Sequence, residues 1–113
     1  MAKTNEVFTI YDISVIKNLN DVRPAMQFLH VLTEICDVYG AIESSKTALA
    51  KAFDVTPHTI SNWLRKLAKN GALKYKYSGI TRLNPFFYFQ GTQKDFDIAE
   101  QEYKAFKSDI KAV

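Results

Sequence analysis

With 113 residues, 47% hydrophobic content, four glycines, three prolines and a net charge of +3, the chain has the size of one domain that buries roughly two thirds of its unfolded surface. No segment has the low hydrophobicity and single-sign charge of a disordered chain, no apolar run reaches the roughly 18 residues of a membrane span, and the opening MAKTNEVFTIYD lacks a signal peptide's basic and apolar regions. A single cysteine, Cys36, excludes an internal disulfide and falls in an apolar helical pattern, so it reads as a core residue in a reducing, cytoplasmic setting.

Residues 7–19, VFTIYDISVIKNL, mix alternation with a helical spacing of Ile13, Ile16 and Leu19, which predicts an extended arm and then a short helix capped by Asp12. The next run is a core helix. Asp21 is its expected cap, Pro24 suits its first turn, and Ala25, Phe28, Leu29, Leu32, Ile35, Cys36 and Tyr39 share one face before Gly40. His30 lies beside that stripe with no second metal-type ligand near it, so it reads as a packed or surface histidine. Ser44 or Ser45 then caps a helix over 46–53 that buries Leu49, Ala50 and Phe53.

Val55 plugs a tight connection, and Thr56 caps a further helix over 57–69 with Pro57 at its first position. Ile60, Trp63, Leu64 and Leu67 recur at helical spacing, and Asn70-Gly71 supplies a left-handed stop. LKYKYSGITRL alternates, with Leu73, Tyr75 and Tyr77 on one side and Lys74 and Lys76 on the other, around a Ser78-Gly79 turn; this predicts a small β-hairpin over 73–83. NPFFYFQG reads as a turn or strand tail packing back on the core. Finally Phe96, Ala99, Tyr103, Phe106 and Ile110 form a heptad-like stripe on a helix over 94–111. That stripe either joins two copies of the chain or packs on its own domain. The expected fold is therefore mainly α with a small β-hairpin: one domain, 1–113, with an arm at 1–20, a core at 21–91 and an extra C-terminal helix at 92–113.

Charge is distributed unevenly over these elements. Between residues 46 and 82 stand Lys46, Lys51, Arg65, Lys66, Lys69, Lys74, Lys76 and Arg82 against Asp54 alone, a net +7, while the other seven bases and eleven acids leave −4. Such polarity points to a polyanionic partner. Two helices joined by a short turn, the second followed by a basic hairpin, make a winged helix-turn-helix. Lys46 to Leu64 resembles the helix-turn-helix signature, with Ala50 as the small residue of the first helix and Asp54 where the pattern usually has glycine. On the 57–69 helix His58, Asn62, Arg65 and Lys69 lie opposite the apolar stripe. His58, Thr59, Asn62 and Arg65 are the expected base readers of a major groove, Asn62 suiting adenine and Arg65 guanine. Lys46, Thr56, Ser61, Lys66, Lys69, Lys74, Lys76 and Arg82 are the expected phosphate contacts.

Over roughly residues 44–91 the order TALAKAFDVTPHTISNWLRKLAKNGAL, then ITRLNPFFYFQG with Asn84-Pro85 after the wing, is similar to RepL-type replication proteins of small plasmids. The resemblance implies DNA maintenance on a plasmid or mobile element, with partition adaptors and small repressors sharing the layout, and brings no catalytic residue. An inverted or direct repeat of double-stranded DNA is the expected partner, bound by a homodimer through Phe96, Ala99, Tyr103, Phe106 and Ile110, with a protein partner if the role is replication or partition. No cofactor, metal or membrane is expected. Two histidines without relaxase-type spacing, no glycine-rich phosphate loop, no zinc-ligand cluster and no paired nucleophile and base argue against an enzyme. A module that docks the basic face on an acidic protein is the alternative of another class. Double-stranded RNA is disfavoured by its narrow major groove.

Overall fold

The computed structural model describes residues 6–109. Strand β1 (Phe8–Tyr11) leads into a 3-10 turn at Ile13–Val15, where Asp12 accepts the Ser14 backbone N–H at 3.0 Å. Asn18, and not Asp21, then opens the helical part of the chain: its side-chain oxygen accepts from the N–H groups of Asn20 and Asp21 at the head of α1 (Leu19–Val22). The single core helix expected after Asp21 is divided. Pro24, which has no N–H to donate, sits in a 3-10 turn at Arg23–Ala25, and α2 (Met26–Ile35) begins only after it.

Because α2 stops at Ile35, the end of the predicted apolar stripe is corrected as well. Cys36 is extended, Ile35 is 53% exposed, and the chain turns through Asp37, whose carboxylate accepts from the N–H groups of Tyr39 and Ala41, each at 2.9 Å. Phe28, Leu29 and Leu32 are buried as expected. A three-residue strand, β2 (Ala41–Glu43), follows; α3 (Lys46–Phe53) and α4 (Pro57–Lys69) have the predicted bounds. Ser45 accepts the Ala48 N–H and Thr56 the Thr59 N–H, both at 3.1 Å. Between the helices Asp54 adopts the left-handed conformation, φ 54° and ψ 48°, in the place where glycine was the usual expectation. Asparagine and aspartate tolerate this region better than other side chains, and β-branched residues worst. Asp54→Val is therefore expected to lower stability by about 1 to 2 kcal/mol, read from urea denaturation, whereas Asp54→Gly should not lower it.

Strand content exceeds the one hairpin expected. Beyond the hairpin of β3 (Leu73–Lys76) and β4 (Ile80–Leu83), β2 adds to β4 in an antiparallel sheet of order β2-β4-β3, and β5 (Tyr88–Gly91) pairs with β1 in a second, two-stranded sheet. The arm is thus held: Ile10 lies opposite Phe89, and the Asp12 N–H donates to the Phe87 carbonyl at 2.8 Å. In the three-stranded sheet Ile42, Thr81 and Tyr75 share one row and Leu73 faces Leu83, all buried. Alternation accordingly sends Lys74, Lys76 and Arg82 to the reverse face. The inner face meets Ile60, Leu64 and Leu67 of α4, each at 0% exposure, and the rings of Phe28, Phe53 and Trp63 pack together at the open end of this core.

Helix α5 (Gln93–Ala105) begins with a reciprocal capping box between Thr92 and Asp95. It stops well short of the predicted residue 111. The cause is long-range: β3 is an edge strand, and its unpaired backbone groups are taken up by the segment after the helix. Asp109 N–H donates to the Tyr75 carbonyl at 2.9 Å, Tyr75 N–H to Ser108 Oγ at 3.1 Å, and Tyr77 N–H to Asp109 Oδ2 at 2.8 Å.

The half-buried Cys36 thiol donates to the Thr33 carbonyl, and burial, helped by the Asp37 carboxylate, pushes its pKa up to about 11. At pH 8 its alkylation by iodoacetamide should run roughly a hundredfold slower than that of an ordinary thiol. Burial pushes the Tyr103 hydroxyl up to about 12. Both groups hold their protons to higher pH when folded than when unfolded, so the stability they contribute is present below their ordinary pKa values and is lost as pH rises from about 9 to 12. Urea midpoints across that range check the sign.

Candidate nucleic-acid interface

Helix α4 owes its orientation to sequence periodicity. With Ile60, Leu64, Leu67 and Ala68 buried, the 100° step between residues turns His58, Asn62, Arg65 and Lys69 outward. His58, Arg65 and Lys69 are exposed and Asn62 is half-buried. No acidic residue occurs within Pro57–Lys69. Arg65 donates to Asn62 Oδ1 at 3.2 Å, which orients the amide while leaving both amide N–H groups and the second oxygen lone pair available. Thr59 is half-buried, and its hydroxyl lies 3.0 Å from that of Thr56, so both threonines are tied to the helix cap. Lys66 is half-buried on the flank.

The structure brings Lys46 and Ser61 together with Arg65 at a cleft completed by Tyr75 and Tyr77. Tyr77 is 63% exposed at the hairpin tip. Its side, shared with Tyr75, was legible from the alternation, but nothing local in the sequence linked it to Lys46, some thirty residues earlier.

The three hairpin cations each meet the C-terminal segment, Lys74 and Arg82 through polar contacts and Lys76 through a ring alone. Lys74 and Arg82 are cross-strand partners, a like-charge pairing that opposes sheet formation, and the C-terminal segment lies on both. Lys74 Nζ donates to the Tyr103 carbonyl at 2.7 Å and lies 4.5 Å from that residue's ring centroid. Arg82 pairs with Glu102 at 2.8 Å, and the Phe106 ring lies 4.6 Å from Lys76 Nζ and 5.7 Å from the Arg82 guanidinium. Burial lowers the Lys74 pKa. Expected phosphate contacts Lys74, Lys76 and Arg82 are therefore engaged within the chain, on the sheet face turned away from α4. Glu102, Ser108 and Asp109, which no sequence pattern singles out, join Tyr103 and Phe106 in engaging the hairpin.

The heptad-like stripe lies against its own domain, with Phe96, Tyr103 and Phe106 half-buried. Phe96 meets the rings of Phe8, Phe86 and Phe89, Ala99 is buried, and Tyr103 and Phe106 lie under the hairpin cations. Ile110 lies outside the described residues. Among the described residues no cluster of His, Cys, Asp and Glu is placed to hold a metal, and no helix is long and apolar enough to cross a membrane. Against known proteins, the chain matches no family model, no curated protein and no solved structure.

Proposed function

We propose that the chain is a winged helix-turn-helix protein that binds double-stranded DNA, with α4 lying in the major groove. One observation carries this reading: α4 buries Ile60, Leu64, Leu67 and Ala68 on one face and presents on the other an acid-free ridge of His58, Asn62, Arg65 and Lys69. A helix of this diameter fits the major groove of B-form DNA, an amide such as that of Asn62 suits adenine N6 and N7, and cations on the same ridge suit the flanking phosphates. The 46–69 helix pair with the left-handed Asp54 between its members, and the hairpin beyond it, support the fold assignment. The resemblance to RepL-type proteins supports a role in plasmid or mobile-element maintenance, whether replication, partition or repression. Two copies would bind an inverted or direct repeat as a homodimer, for which the half-buried Phe96, Tyr103 and Phe106 are candidate contacts.

Titration of a fluorescent duplex tests the reading. The chain is expected to bind duplex DNA and to prefer it to the same sequence as double-stranded RNA. Lys69→Ala should weaken binding to all duplexes alike and flatten the salt slope by about one, whereas Asn62→Ala should reduce the preference between sequences by about 1 to 3 kcal/mol. Equal losses on every duplex for both variants would remove Asn62 from base reading. Tighter binding to an acidic protein than to any duplex would favour a protein-docking module instead.

A further inference from the structure

Three elements remote in sequence converge on one cleft of about 100 Å³: Lys46 from the first turn of α3, Ser61 and Arg65 from α4, and from the hairpin Tyr75 of β3 and Tyr77 of the turn after it. Each of these five side chains is able to donate a hydrogen bond, two are cationic and none is a carboxylate. Lys46 Nζ rests against ring faces, 5.7 Å from the Tyr75 centroid and 4.7 Å from that of Tyr77. Neither Lys46 nor Arg65 takes part in an ion pair among the described residues.

The lining also holds an orphan. Tyr75 is 1% exposed, and its hydroxyl is buried without a hydrogen-bond partner among the described residues. A buried hydroxyl in that state is costly, and native structures rarely keep one without a reason. Phenylalanine would fill the same space without the penalty.

We propose that this cleft is a phosphate seat, in which Lys46 and Arg65 flank the anion, Ser61 and Tyr77 donate at its rim, and a phosphate oxygen supplies the acceptor missing from the Tyr75 hydroxyl. A backbone phosphodiester has several acceptors and no donor, which suits a lining where every side chain can donate and none is a carboxylate, and charge-assisted bonds to it are the strong ones. Lys46 Nζ, held against the two tyrosine rings that line the cleft, is placed to exchange those ring contacts for the anion. The seat deepens the DNA-binding reading, and it rests on that reading for the source of the phosphate. Lys46 and Ser61 keep the role expected of them, while Arg65 moves from base reading to holding the backbone, which leaves His58, Thr59 and Asn62 to the base edges.

The first test needs no DNA. Inorganic phosphate, titrated into the full chain at low ionic strength, should give saturable NMR shifts of the Tyr75 and Tyr77 rings. Lys46→Ala and Arg65→Ala should each weaken the fitted affinity by about fivefold or more. Tyr75→Phe, which removes only the orphan oxygen, should leave the fold intact and weaken it by about threefold. Shifts that do not saturate, or an affinity indifferent to Lys46→Ala and Arg65→Ala, overturn the seat.

The second test assigns the source. Neutral methylphosphonates, placed one at a time along a bound duplex, should reveal a position that weakens the wild-type chain by about tenfold and leaves Arg65→Ala unaffected. With phosphate saturating the cleft and no such position on the duplex, the seat belongs to a free phosphate. A chain that binds no duplex removes the DNA reading, and the phosphate titration still decides the seat by itself.

Discussion

Leu64→Ala is expected to lower the stability of the chain by about 3 to 5 kcal/mol. Leu64 is at 0% exposure between Ile60 and Leu67, which are equally buried, and α4 packs on both β3 and α3. The cavity left by three carbons and their hydrogens lies where these elements meet, so no single neighbour can collapse into it. Against a total of about 5 to 15 kcal/mol for a domain of this size, the variant sits near the edge of folding. Urea denaturation measures the loss. A cost below about 1 kcal/mol would mean that α4 does not dock by this face, and the outward ridge would lose its basis. Asn62→Ala, on the other side of the same helix, should shift the midpoint little, which separates the reading face from the packing face.

The second large effect is on salt. If Lys74, Lys76 and Arg82 stay under α5 when DNA binds, the cations left to meet phosphates are Lys46, Arg65, Lys66 and Lys69. Four contacts give a slope of log affinity against log salt near −4 per bound chain, and a loss of about a hundredfold between 50 and 200 mM salt. Were the hairpin cations to leave Glu102, the Tyr103 carbonyl and the Phe106 ring for the backbone, seven contacts would give a slope near −6 and a loss of several thousandfold. The account predicts the shallower slope. Exposed or half-exposed ion pairs such as Arg82 with Glu102 are individually weak, but this one is joined by the Lys74 bond to Tyr103 and by the Ser108 and Asp109 bonds to the strand edge. Glu102→Gln tests the point, since it should leave the slope unchanged if the remaining contacts hold the segment in place.

Elements bounded by local chemistry were legible from the residues. Ser45 and the left-handed Asp54 bracket α3, and Thr56-Pro57 and Asn70-Gly71 bracket α4, so both helices have the limits that capping and turn preferences predict. Alternation correctly separated Tyr75 from Lys74 and Lys76. What stayed hidden depended on distant partners. Ala41–Glu43 is too short for periodicity to register and is a strand only because Ile42 lies opposite Thr81. Asp21 looked like a cap, yet its carboxylate receives the buried Asn70 amide at 2.8 Å from the far end of α4. The predicted C-terminal helix ran on to residue 111 because helical spacing continues past Ala105, whereas the open edge of β3 draws Ser108 and Asp109 into its own hydrogen bonding. For the candidate site the same division holds. The α4 ridge is a pattern within one helix, but the cleft joins three elements, and the covering of the hairpin joins residues separated by some twenty to thirty positions.

Sequence selection tests the central claim most directly. Duplexes recovered from a random pool by the full chain, beside those recovered by Asn62→Ala, should share a short motif with the wild type and show relaxed preference at one A·T position with the variant. Recovery of no motif by the wild type, or of an identical motif with undiminished preference by Asn62→Ala, would contradict the account.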